Sequence, residues 1–98
     1  MRVVIDVEAK SEIKQISDYI SRDSVKHAEK TANKIHDKIN LLNDFPYIGR
    51  KVPEQDDERY RELIYKSYRI IYKIEKNYVH IQTVLHGARN LKNIFKFK

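Results

Sequence analysis

Cysteine is absent from the 98 residues. That removes both a disulfide framework and a thiol nucleophile, and it makes a reducing cytoplasm the expected setting. Only two glycines are present, Gly49 and Gly87, too far apart for a phosphate-cradling glycine loop. No apolar run is long enough to span a bilayer, and the opening MRVVIDVEAK is far shorter in apolar length than a signal-peptide core, so no membrane partner is expected. No serine stands in a nucleophile-elbow context. The four histidines are scattered. His80 and His86 would share a strand face about 20 Å apart, beyond what one metal ion can bridge. Glu54, Asp56, Asp57 and Glu58 read as a solvated acidic turn, and neither a metal nor a cofactor is expected.

A chain of 98 residues has room for one core, so residues 1–98 are read as a single domain. Its net charge of +6 is unevenly spread. Residues 1–45 hold eight Lys/Arg and eight Asp/Glu, whereas residues 59–98 hold ten Lys/Arg against Glu62 and Glu75, a balance of +8. The excess in the second half suggests a surface for nucleic acid or an acidic protein segment, or simply an alkaline soluble protein.

Residues 59–89 show the period of two expected of strands. Arg61, Leu63 and Tyr65 alternate with Tyr60, Glu62 and Ile64. Ile70, Tyr72 and Ile74 alternate with Arg69, Ile71 and Lys73. Val79, Ile81, Thr83 and Leu85 alternate with Tyr78, His80, Gln82, Val84 and His86. Short connections at residues 66–67 and 76–77 predict an antiparallel meander with one wet face. Val3, Ile5 and Val7 predict a first strand that joins this sheet.

Between them the period becomes helical. Ala9, Ile13, Ile16 and Ile20 predict an amphipathic helix over about residues 9–20. Asp23 and Ser24 are N-cap candidates for a second helix, whose stripe is Val25, Ala28, Ala32, Ile35, Ile39 and Leu42, with Leu41 and Phe45 extending it. Lys26, Lys30, Lys34 and Lys38 lie outside the stripe. Phe45 and Pro46 end the helix, and residues 47–58 form a loop. The fold class is α+β: a strand, then an antiparallel helical hairpin packed on a twisted antiparallel sheet, in the order β-α-α-β-β-β.

The chemistry left to such a surface is cationic and aromatic. Metal-free RNA cleavage needs a base, cations for the developing phosphorane charge and an acid. Arg69 and Lys73, with His86 and Arg89, could supply them, or Arg69 and Lys73 could be ordinary solvent-side residues and His86 the end of a strand.

The combination FPYIGRKVPE, then REL, YRIIY and VLHGAR resembles the RelE/ParE superfamily of toxins from type II toxin-antitoxin systems, over nearly the whole chain. The resemblance implies the helical hairpin on a twisted sheet, and two activities diverge within it. Ribonuclease members cut messenger RNA on the ribosome. Arg69 matches their strand arginine, with His86 and Arg89 the remaining catalytic candidates. The position of their further arginine falls at or near Gly87, and the tail NLKNIFKFK offers no tyrosine. The GRKVPE and HGAR segments look more like the ParE branch, whose members poison DNA gyrase by binding. On that reading Arg61, Lys66, Arg69, Lys73, Arg89 and Lys92 are target-binding candidates, and an inert, antitoxin-binding relative is a third possibility. Each implies a cognate antitoxin, which either covers Phe95 and Phe97 or leaves them packed against the body of the domain, and a toxin-antitoxin hetero-oligomer.

Overall fold

In the computed structural model, which describes residues 1–87, 91 and 95–98, the chain opens with β1 (Arg2–Ile5) and turns at once into α1 (Val7–Ser21). The alternation through Val7 reads as a longer strand than forms. Asp6 ends it, because its carboxylate accepts a hydrogen bond from the Glu8 N–H at 2.9 Å and caps α1 two residues earlier than the apolar spacing predicts. Ser24 caps α2 (Val25–Leu41) in the same way, accepting from the His27 N–H at 3.1 Å. β2 (Arg50–Lys51), β3 (Tyr60–Tyr65), β4 (Tyr68–Ile74) and β5 (Tyr78–His86) follow. The two-residue β2 lies inside the stretch read as loop.

The sheet runs β1-β5-β4-β3-β2, with β1 parallel to β5 and every other pair antiparallel. Ala9 and Ile13 of α1 and Ile35, Ile39 and Leu42 at α2 pack on one face against Leu63, Ile70, Tyr72, Ile74, Val79 and Ile81. Burial of each Ile, Leu and Val among them stabilises the fold by about 1.5–3 kcal/mol. Leu41 and Phe45, expected to continue the α2 stripe, are exposed instead. The helix stops at Leu41, and the turn after it carries Phe45 away from the sheet, with the Phe45 N–H bonded to the Leu41 carbonyl at 2.9 Å.

Two further departures from the sequence reading concern the second face of the sheet and the phase of β5. The expected wet face is closed by the chain's own tail: Val52, Tyr60, Ile71 and Leu85 are buried with Leu91, and Phe95 and Phe97 pack against them. Within β5 the strict alternation also fails. Ile71 pairs with Thr83 and Tyr72 with Ile81, so Gln82 is the extra residue of a β-bulge. The phase slips there, sending Val84 to the helix side and Leu85 to the tail side.

Tyr72 fastens the turn after α2. Its hydroxyl donates to the Pro46 carbonyl at 2.8 Å and accepts from the Gly49 N–H at 2.9 Å, all under a fully buried ring. Burial pushes its ionisation above the usual tyrosine value. A Cβ on Gly49 would lie 2.5 Å from that hydroxyl and 2.7 Å from the Glu62 carbonyl, so only glycine fits. Tyr72→Phe, which strands both backbone groups, is expected to cost about 1–3 kcal/mol in urea unfolding with an unchanged m value.

Candidate functional site

Of the basic residues singled out on β3 and β4, Arg69 alone joins an ionic network, on the tail side of the sheet. β4 places Arg69 two residues from Ile71 on that face, and β3 places Glu62 beside it. The Arg69 Nε donates to Glu62 Oε1 at 2.7 Å, and its two terminal nitrogens each donate to Glu54 at 2.8 Å. Arg50, on β2, closes the other side by donating to Glu62 Oε2 at 2.6 Å. The Glu62 side chain is 0% exposed, and that of Arg69 is 8%. A buried carboxylate is tolerable only with such partners. The bidentate bonds from Arg69 hold the Glu54 carboxyl below the ordinary glutamate range.

Arg69 therefore has its charge matched from two sides. His86 stands elsewhere: it pairs with Tyr68, whose ring meets it edge-on at 5.8 Å, and it lines a groove with Glu12, Gln15 and Tyr19 of α1. The pleat thus sends Arg69 and His86 to opposite faces. Within that groove Glu12 accepts from the Thr83 hydroxyl at 2.7 Å and from the Val84 N–H at 3.1 Å, satisfying the β5 edge that β1 leaves open. Burial raises its carboxyl above the usual value.

The remaining basic candidates are spread rather than gathered. Arg61 donates to the Gly49 carbonyl at 3.2 Å and lies over the Tyr47 ring. Lys66 occupies the β3–β4 turn at φ 51 and lies over Tyr65. Lys73 sits 3.6 Å from Glu75 and over Tyr60. Arg89 and Lys92 lie outside the described residues. Phe97 meets Tyr60 edge-on at 5.1 Å and Phe95 at 5.2 Å, so both tail rings are seated on their own sheet.

A second polar cluster ties the tail down. The Lys98 N–H donates to Gln82 Oε1 at 3.1 Å, which turns the amide nitrogen of Gln82 toward His80 Nδ1 at 3.3 Å. Nδ1 is then an acceptor, and the proton belongs on Nε2, which donates to Asp6 at 3.0 Å. Asp6 also receives Lys98 Nζ at 3.3 Å, and its carboxyl is lowered first by the Glu8 N–H and then by these partners.

The sequence reading missed Glu54 as the partner of Arg69, because it counted the acidic turn as solvated. In the structure Glu54 pairs with Arg69, Asp57 with Arg59 at 2.7 Å and Glu58 with Lys51 at 3.8 Å. The readable signal lay in β4 itself, where Ile71 is apolar on the face otherwise occupied by Arg69 and Lys73. A strand apolar on both sides is covered on both sides.

A family model described as the ParE toxin of the type II toxin-antitoxin system parDE matches residues 3–91. No curated protein matches the sequence. Among solved structures, the chromosomal ParDE toxin-antitoxin system of P. aeruginosa superposes with a TM-score of 0.73 at 16% identity, covering 88% of this chain and 95% of that one. The YoeB dimer of Staphylococcus aureus gives 0.59 at 17% identity, with 85% and 92% covered. YafQ from E. coli strain BL21(DE3) gives 0.57 at 14%, with 90% and 96% covered. All three share the two helices on a mostly antiparallel sheet.

Removing Arg69 leaves Glu62 buried with one partner. Arg69→Ala is therefore expected to cost about 3–5 kcal/mol, and the double variant Arg69→Met, Glu62→Leu to recover part of it. The Glu54 contribution follows pH with a definite sign. Its folded pKa lies below the unfolded value of 4.5, so the stabilisation is complete above that pH and is lost as pH falls toward the lowered value. Melting curves across that acid range should be flatter in Glu54→Gln than in the parent chain.

Proposed function

We propose, for a chain that belongs to the ParE toxin family of type II toxin-antitoxin systems, that growth is arrested by binding to DNA gyrase and holding it in its DNA-cleaved state. A cognate antitoxin goes with membership of that family and relieves the arrest. What supports binding over hydrolysis is the state of Arg69. The guanidinium that a ribonuclease would aim at a phosphorane is enclosed by Glu54 and Glu62, and His86 projects from the other side of the sheet. Neutralising a developing phosphate charge requires a cation free to approach it, and this one is already bonded through Nε, NH1 and NH2.

Among the described residues no three His, Asp or Glu side chains converge as metal ligands, and no described helix is long and apolar enough to cross a membrane. The proposed activity requires neither.

Purified protein added to gyrase should inhibit supercoiling and accumulate cleaved DNA, while primer extension on translated messages should show no codon-positioned cuts. Cuts without gyrase inhibition would instead support the ribosome-dependent ribonuclease reading. His86→Ala is expected to leave gyrase inhibition within about twofold of the parent chain, since an imidazole outside the binding reaction contributes little to it.

A further inference from the structure

The fold redistributes the positive charge. In the second half of the chain, where the sequence excess lies, Arg50, Lys51, Arg59, Arg69, Lys73 and Lys98 each stand within 3.8 Å of a carboxylate. On α2, in the half whose composition is neutral, Lys26, Lys30, Lys34 and Lys38 recur at every fourth position, and none of them makes an ion pair among the described residues. Glu29 and Asp37 on the same helix leave it two positive charges in excess, and neither closes onto a lysine.

The four lysines run along about 18 Å of helix, about 6 Å apart, and the row turns about 40° at each step. It avoids the packed side, where Ala28, Thr31, Ile35 and Ile39 are buried. It also avoids the flank toward α1, where Ala32 and His36 face Ile13 and Ser17 across a shallow groove. Lys26, Lys30 and Lys34 are exposed and Lys38 is half-buried at the end of the row, so the lysines line one rigid element that faces solvent over most of its length.

Its surroundings select the ligand. From Lys26 to Lys38 the helix exposes no large apolar side chain, Val25 and Leu41 lying beyond the two ends. An acidic amphipathic segment would find no apolar anchor there. α2 contains no Phe, Tyr or Trp either, so it offers no stacking platform for unpaired bases. A regularly charged duplex backbone needs neither, and presents on each strand about one phosphate per 3.4 Å of helix axis. We infer that the exposed face of α2 is a sequence-independent docking surface for duplex DNA, its four lysines each meeting a backbone phosphate. The inference does not rest on gyrase being the target.

The test is fluorescence anisotropy of the full chain on a labelled duplex of about 20 base pairs, between 50 and 200 mM salt. Four phosphate contacts predict a loss of about a hundredfold in affinity across that range, and a log–log salt slope of about −3.6. In Lys26→Gln, Lys30→Gln, Lys34→Gln, Lys38→Gln the slope should collapse toward zero. Glutamine keeps the helix propensity, so circular dichroism should be unchanged. A charge-matched control, Lys10→Gln, Lys51→Gln, Lys76→Gln, Lys96→Gln, should retain the parent slope. Equal losses in both variants would show that net charge alone binds DNA, and would overturn the assignment. So would no measurable binding at 50 mM salt, or polyglutamate competing as effectively as duplex.

Discussion

The carboxylate of Glu62 has no exposure to solvent, and it is the constraint around which the tail side of the sheet is arranged. A charge in that position must be matched, and its two oxygens are taken by Arg50 on β2 and Arg69 on β4. Arg50 is thereby fixed at the edge of the sheet, and Arg69 is aimed at the loop, where it collects Glu54. One buried anion therefore links three strands and the acidic turn. The same arrangement decides what the surface can do chemically, because the cation nearest the centre of the sheet is spent internally.

The order of elements and their faces were legible in the sequence. The period-two runs of residues 60–65 and 68–74 assign Leu63, Ile70, Tyr72 and Ile74 to the helix side, and all are found there. Of the helical stripe, Ile35, Ile39 and Leu42 are likewise seated on the sheet, while Val25 at its start is exposed. In these segments local propensity and burial agree, so a simple period is enough.

Where the reading departed from the fold, something non-local had intervened. The phase slip in β5 comes from Gln82, a bulge residue whose amide bridges His80 and Lys98, and a bulge has no signature in polar alternation. Closure of the second face depends on Leu91, Phe95 and Phe97 returning over β3 and β4, which no nearby period reports. The expected gathering of cations on the sheet failed for a similar reason. The balance of +8 over residues 59–98 left out the acidic turn that precedes them, and that turn supplies Glu54, Asp57 and Glu58 as counter-charges. Charge counted along a chain is not charge displayed by a surface.

The parallel pairing of β1 with β5 also has a temporal side. Arg2 lies opposite Tyr78 and Ile5 opposite Ile81, so the first strand has no partner in the sheet until residues 78–81 have been made. Contacts of such sequence separation are formed late and slowly. During synthesis the N-terminal strand and hairpin must wait, unclosed, for β5. Synthesis of β5, more than any earlier step, then sets the moment at which the sheet can close over its first strand.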